Sequence, residues 1–272
     1  LGKPPNGMLK ITNPPPPRRK KEVKQIEAVV EPDLVYPLIE GEDVKRWYVA
    51  FKDRYVIIPH DPRTGNPIPM KDLKVKYPKT YEYFNQYRED LKKRTIKPFL
   101  SLREKLKKAR TESERKLVEK ELDEKFYIVD NIGSYTFSPY KVVWKYIAGA
   151  ITGKAASFAC AVVGEADNKY IGKKPIIPND KVMLVPLQSA DEAYYLAGVL
   201  NSRIVRSIVA SYVVETEIST HILDVIKAPK YDPSNELHGR ISELSRRAHE
   251  IAKEIHEKGR KDLEGELKKL ED

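Results

Sequence analysis

The chain is 272 residues long and carries 50 Lys and Arg against 40 Asp and Glu, with five His and one Cys. That length supports one large or two small units with real cores, and a composition 33% charged and 40% apolar excludes wholesale disorder. A single sulfur excludes an internal disulfide framework and a zinc site built on several thiolates, while the net charge of +10 points to polyanionic partners.

A Lys/Glu-rich surface of thermophile type is the other source of such a charge balance. The apolar runs around Ala155–Gly164 and Ile204–Val214 are too short to cross a bilayer, and no signal peptide is visible. One unpaired Cys160 makes a reducing, cytoplasmic location without membrane contact the expectation. The chain opens on Leu1, as a piece of a longer or processed protein does.

In chain order, residues 1–31 read as an extended basic connector, because Pro14–Pro17 fix φ and remove donors ahead of Arg18, Arg19, Lys20 and Lys21. Tyr55–Ile58 reads as a buried strand between Pro59 and the turn signals around Gly65. Pro78 opens a helix that places Tyr81, Phe84, Tyr87 and Leu91 on one face. Between Ser101 and Lys125 the text is almost wholly charged, with a thin apolar stripe. Ser101-x-x-Glu104 and Thr111-x-x-Glu114 are capping-box patterns, so a helical insertion standing off the body is expected.

Strands follow at Phe126–Val129, Tyr135–Phe137, Lys141–Ile147, Phe158–Val163, Pro175–Ile177 and Val182–Val185. Glu192–Asn201 and Arg203–Tyr212 turn helical, and a last charged helix carries Ile241, Leu244, Ile251 and Ile255 on a stripe that needs burial against another domain, DNA or a second copy. The expected class is α+β (mixed α/β): a central, mostly antiparallel or mixed sheet with flanking helices, the charged insertion and a C-terminal helical tail.

Catalytic patterns are sparse. Asn13-Pro14-Pro15-Pro16 lacks the aromatic that amino-methyltransferases place after Asn-Pro-Pro, and no glycine-rich cofactor turn accompanies it. Asp33, Asp43 and Lys45 supply the residue types of a metal-dependent nuclease, two acids for Mg²⁺ and a lysine for the attacking water, but Asp43 follows Gly41-Glu42 where an apolar strand is required. The histidines form no His-Glu-x-x-His zinc pattern, and His249 with His256 falls on an expected surface helix. No metal ligand or catalytic residue is assigned. Recognition remains, since aromatics and cations interleave at Lys45–Tyr48, Tyr140–Tyr146 and Lys227–Tyr231.

Tyr36-Pro37-Leu38-Ile39-x-Gly41-x-Asp43-Val44-Lys45-Arg46-Trp47 resembles the signature of the TaqI-like C-terminal specificity domain of adenine-specific DNA methyltransferases and type IIG restriction–modification enzymes. Further phrases of that resemblance follow in order: Tyr77-Pro78, Tyr135–Trp144, Pro178–Val182, Glu192–Ser202, Ile218–His221 and Pro229–Pro233. The resemblance covers about Ile26–Ser245. It implies a target recognition domain over 32–233 with its insertion at 101–125, preceded by the connector at 1–31 and followed by a charged helical segment at 234–272.

It also implies double-stranded DNA as partner and a methyltransferase domain, N-terminal or a separate subunit, that holds S-adenosylmethionine; no cofactor is assigned to this chain. Arg18, Arg19, Lys20, Lys21, Lys141, Lys145, Lys173, Lys174, Arg203 and Arg206 are the candidate phosphate contacts. In a strand over Tyr140–Tyr146, Lys141 and Lys145 share a face with Val143, opposite Val142, Trp144 and Tyr146. Gly41, Asp43, Arg46, Trp47, Asn179, Asp180 and Asn201 are the motif residues, read as structural. A nuclease using Asp33, Asp43 and Lys45, and a nonspecific RNA or single-strand binder, are the alternatives.

Overall fold

Short β-branched runs punctuated by Pro and Gly alternate with amphipathic segments along this sequence, and the computed structural model converts them into a mixed α+β fold. It describes residues 5–13, 25–146, 158–212 and 218–271. The elements begin with β1 (Leu9–Thr12), β2 (Glu27–Val30), β3 (Val35–Ile39), β4 (Val44–Lys45), β5 (Tyr48–Val49) and β6 (Tyr55–Ile57). Five helices follow: α1 (Met70–Lys76), α2 (Pro78–Asn85), α3 (Arg88–Lys92), α4 (Lys97–Lys108) and α5 (Glu112–Glu124). Then come β7 (Tyr140–Lys145), β8 (Cys160–Val163), β9 (Glu165–Asn168), β10 (Gly172–Pro175), β11 (Ile177–Pro178) and β12 (Val182–Leu187). The chain closes with α6 (Ala190–Asn201), α7 (Arg203–Tyr212), α8 (Ile222–Ile226), α9 (Glu236–Lys258) and α10 (Glu264–Glu271).

Two compact units share these elements, the first drawn from Leu1–Val35, Ile57–Ser134 and Asn168–Gly172, the second from Tyr36–Val56, Tyr135–Asp167 and Lys173–Asp272. In the first, β1 and β2 pair antiparallel with Leu9 opposite Val30, and both side chains are fully buried. Residues 9–12 and 27–30 of the expected connector are therefore sheet. Buried Glu31 accepts the amides of Lys79 and Thr80 at 2.9 and 2.8 Å and the Thr80 hydroxyl at 2.7 Å, so a remote carboxylate caps α2 behind Pro78. His60 receives the Val129 amide on Nε2 at 3.0 Å and donates from Nδ1 to the Gly65 carbonyl at 2.8 Å; burial lowers its pKa. Gly65 has φ +72, and a Cβ there would lie 2.3 Å from the Gly133 Cα, so only glycine fits.

The charged insertion is part of this unit's core. Phe99 and Leu102 of α4 are buried with Leu34, Leu73 and Phe126. Pro98 sits in the first turn of α4, which places Ser101 inside the helix and not at its cap, contrary to the sequence pattern. Thr111 does cap α5, taking the Glu114 amide at 3.1 Å while the Glu114 carboxylate takes the Thr111 amide at 3.1 Å. Phe126–Val129 is not a strand: the Arg94 guanidinium occupies the carbonyls of Phe126 and Ile128, both at 2.8 Å, which a ladder partner would otherwise hold. Residues Ser134–Phe137 form a 3-10 turn where a strand was expected.

In the second unit β7 is the central strand of an antiparallel sheet ordered β12–β7–β8, with Leu184 opposite Val143 and Ala161 on the other side. Val142 and Trp144 pack on Ala193, Ala197 and Leu200 of α6 and on Val205 and Val209 of α7. Val143 packs with Ile39, Val44, Val163 and Val182 on the opposite face. A second sheet runs β11–β3–β6, with β11 parallel to β3. The strands thus divide among small sheets instead of building one central sheet, as prolines 37, 178 and 186 within β3, β11 and β12 dictate by removing ladder donors.

Helix α9 lies on α6 and approaches it closely at Gly198, where a Cβ would come within 2.7 Å of the Ile241 methyl. Ala248, Ile251 and Ala252 are buried and Ile241, Leu244 and Ile255 half-buried, so the stripe of the last long helix is largely covered inside this unit. Among the described residues no helix is long and apolar enough to cross a membrane.

These packing differences set an expected result. Phe99→Ala should destabilise the first unit by about 3–5 kcal/mol, whereas Leu117→Ala, at a side chain 66% exposed, should stay within about 0.5 kcal/mol in denaturant unfolding. Equal effects would mean that α4 does not belong to the core.

Candidate nucleic-acid interface

The Tyr36–Trp47 phrase folds as strand β3, a 3-10 turn over Gly41–Asp43 and the β4–β5 hairpin. A Cβ on Gly41 would meet the Lys181 carbonyl oxygen at 3.2 Å, so the absence of a side chain lets the turn close on that strand. Asp43 has no solvent exposure. Its carboxylate accepts the Glu40 amide at 2.7 Å, is hydrogen-bonded by the Arg54 guanidinium and faces the Lys52 ammonium at 3.3 Å. Arg54 also holds Glu40 and, at 3.4 Å, Glu42, which Lys52 meets at 2.7 Å; the bond from Lys52 draws the Glu42 carboxyl below its usual range.

This network governs the metal question. A nuclease would need Asp43 to offer oxygen to Mg²⁺, but its carboxylate is already engaged by two cations and an amide of its own chain. Lys45 is exposed, and Asp33 belongs to the first unit. Among the described residues no group of three or more His, Cys, Asp or Glu side chains is placed to hold a metal ion.

The remaining motif residues fix backbone. Arg46 and Trp47 make the β4–β5 turn; Trp47 takes φ +63, is buried, donates its amide to the Cys160 carbonyl at 3.1 Å and sets its ring edge to His249 at 5.3 Å. Buried Asn201 clamps the same residue, accepting the Cys160 amide at 3.0 Å and donating to its carbonyl at 2.9 Å. Burial pushes the Cys160 thiol up, which removes it as a nucleophile. Asn179 accepts the Lys181 amide at 3.0 Å and donates its own amide to the Ile39 carbonyl at 2.9 Å, while Asp180 is exposed. With Glu40, Gly41, Glu42, Lys145 and Lys181, Asn179 lines an open depression of about 390 Å³.

The candidate phosphate contacts divide. Arg18, Arg19, Lys20 and Lys21 lie outside the described residues. Lys141 corrects the alternation argument: in a strand covered on both faces its ammonium is 0% exposed, bonds the Ser138 carbonyl at 2.7 Å and is pushed by burial down to about 8. It is a core residue, turned away from any polyanion. Lys145 is half-buried, and burial together with repulsion from Lys45 lowers its pKa. Lys173 is exposed and pairs with Glu165 at 3.0 Å, and Lys174 sits over the Tyr36 ring at 4.7 Å. Arg203 is exposed and Arg206 half-buried on α7. Lys145, Lys173, Lys174, Arg203 and Arg206 all belong to the second unit.

Sequence reasoning missed Arg54 and Lys52, the counter-charges of Asp43, because nothing at fixed spacing marks them. It also placed His249 on a surface. The helix turns that ring inward, where Nδ1 donates to the Ser245 carbonyl at 2.7 Å and Nε2 accepts the Val162 amide at 2.9 Å, and burial pushes its pKa down to about 4. Small residues around it at helical spacing, Ser245, Ala248 and Ala252, were the available signal.

Two outcomes follow from these buried groups. Lys141→Met, which keeps volume and removes a desolvated charge, should leave stability unchanged or raised in urea unfolding; a loss of more than about 2 kcal/mol would show that the ammonium is required. For His249, the unfolded chain binds a proton between pH 6.5 and about 4 that the folded chain refuses. The stability this ring contributes is therefore complete above pH 6.5 and lost as pH falls towards 4. His249→Gln should show a shallower fall of the denaturation midpoint across that window than the parent, and identical slopes would contradict it.

No family model matches the chain. It is similar to Type II methyltransferase M.NspV of Nostoc sp. (strain ATCC 29411 / PCC 7524), with 25% identity over 185 residues. That alignment takes in 68% of this chain and 31% of the relative, so the chain spans about a third of the length of the curated relative it matches. The similarity relates this chain to a type II methyltransferase.

Proposed function

We propose that this chain is the DNA target recognition domain of an adenine-specific DNA methyltransferase or of a type IIG restriction–modification enzyme. It binds duplex DNA and sets the sequence addressed, while an N-terminal domain or separate subunit holds S-adenosylmethionine and transfers the methyl group. The observation that carries this reading is the extent of the alignment: two thirds of this chain against less than one third of a type II methyltransferase.

Other features support it. The phrase from Tyr36 to Trp47 is spent on backbone, with Asp43, Trp47 and Gly41 fixing one turn and one hairpin. A scaffold of that kind leaves recognition to the exposed side chains around it. Lys145, Lys173, Lys174, Arg203 and Arg206, together with Arg18, Arg19, Lys20 and Lys21, are assigned to phosphate, where cations set register on the duplex without reading sequence. The nuclease reading has no comparable support, since it requires Asp43 to abandon Arg54.

The test is competition among duplex DNA, single-stranded DNA and RNA at one fixed salt concentration. Duplex is expected to compete best; its being the weakest competitor would overturn the proposal. In salt titrations of duplex binding, Lys145→Ala and Lys173→Ala should each reduce the slope of log K against log salt by about one.

A further inference from the structure

Between the β4–β5 hairpin and the face of α9 that carries Glu250 and Glu257 lies an open pocket of about 270 Å³, wholly within the second unit. That is below the roughly 300–1,000 Å³ of pockets that enclose a drug-sized ligand, and it suits a single side chain. Trp47, Tyr48, Phe51 and Tyr194 form its aromatic wall, and Phe51 keeps 39% of its surface exposed. The charged wall is Glu250, Lys253 and Glu257, exposed residues at i, i+3 and i+7 of the helix. Glu257 accepts the Tyr48 hydroxyl at 3.4 Å, which ties carboxylate to ring, while Glu250 meets Arg247 at 3.6 Å. Lys253 pairs with neither among the described residues. Two carboxylates against one ammonium make the pocket acidic, on a chain whose formal charge is +10.

We propose that this pocket docks an arginine side chain of the domain or subunit that carries out methyl transfer. The guanidinium is assigned from the pocket itself; its source rests on the target-recognition reading above and deepens it by naming where the catalytic partner docks. A cation over an aromatic ring is held by the ring quadrupole, and a planar guanidinium also takes a carboxylate through two parallel bonds, which an ammonium cannot. The chain displays this chemistry at the edge of the pocket, where the Arg246 guanidinium stands over the Tyr194 ring at 4.3 Å. Arginine and aromatic side chains are also the anchors enriched at protein interfaces. DNA is the wrong occupant, because a phosphate brought against Glu250 and Glu257 meets like charge. The cations assigned to the duplex serve one partner and this acidic pocket another.

The experiment is an NMR titration of the full chain with acetyl-arginine amide, acetyl-lysine amide, acetyl-norleucine amide and inorganic phosphate at one ionic strength. Acetyl-arginine amide is expected to shift the amide signals of Tyr48, Phe51 and Glu257 saturably, with a Kd of about 1 mM for so small a ligand, and to bind several-fold tighter than the lysine and norleucine probes. Glu257→Gln should weaken it about tenfold and Phe51→Ala about threefold, whereas Lys253→Met, which removes a like charge, should tighten it about threefold. Thermal melting confirms that each variant is folded, and Glu257→Gln changes an exposed side chain only. No saturable shift, equal binding of the norleucine probe, or a preference for phosphate would each overturn the guanidinium assignment.

Two further arms test the source. Saturating duplex DNA should leave the arginine-induced shifts in place; displacement of the probe by duplex would put the pocket on the DNA face and overturn the assignment to a protein partner. In the complex with the methyltransferase domain or subunit the pocket should be filled, so that the probe no longer shifts these signals; an unaltered titration would overturn that source. Each of these failures leaves target recognition standing. Failure of that reading gives a different result: duplex is then the weakest nucleic-acid competitor while acetyl-arginine amide still binds, which removes the named partner and keeps the guanidinium pocket.

Discussion

A carboxylate with no solvent exposure is tolerated in a protein only when its lost hydration is replaced, and the second unit is organised around one such replacement. Asp43 lies between Arg54, Lys52 and the Glu40 amide, partners drawn from two pieces of backbone. Arg54 and Lys52 come from the β5–β6 segment, and Glu40 from the end of β3. The pairings tie the 3-10 turn to both, and removing one member of such a buried pair costs about 3–5 kcal/mol because the other is left uncompensated. The β4–β5 hairpin, and with it the placement of Trp47 on Cys160, depends on that turn.

From Cys160 the constraint passes into the sheet. The Trp47 amide and the Asn201 carboxamide share the Cys160 backbone groups, so β8, α6 and the hairpin meet on one residue whose own side chain does little but fill space. His249 adds a fourth element by accepting the amide of Val162 from α9. Buried Asn201 and inward-turned His249, hydrogen-bonded to strand β8, fix registers that apolar packing alone leaves free to slide. Helix α7 is carried on the same core through Val205 and Val209.

The same accounting separates the cations. Lys141 and Lys145 stand four residues apart on one strand, yet one is enclosed against the Ser138 carbonyl and the other opens on the depression beside Gly41. Charge by itself therefore says little about which lysines meet a partner. Enclosure decides, as buried Lys141 and half-buried Lys145 illustrate.

The elements were legible where local chemistry suffices. Pro78 opening α2, the Thr111–Glu114 box of α5, and the helices near 192–201 and 203–212 follow from capping, φ restriction and 3.6-residue periodicity, which need no knowledge of neighbours. The mixed α+β class followed from the same signals. What only the tertiary structure decided was how backbone and charge are satisfied at a distance: Arg94 turning Phe126–Val129 away from strand, Glu31 capping a helix 48 residues on, α4 sunk in a core, and Lys141 buried where alternation put it on a solvent face. Sequence specifies which groups need partners. Because those partners come from segments far along the chain, their identity is settled only when the chain has folded, and with it the side chains left over for recognition.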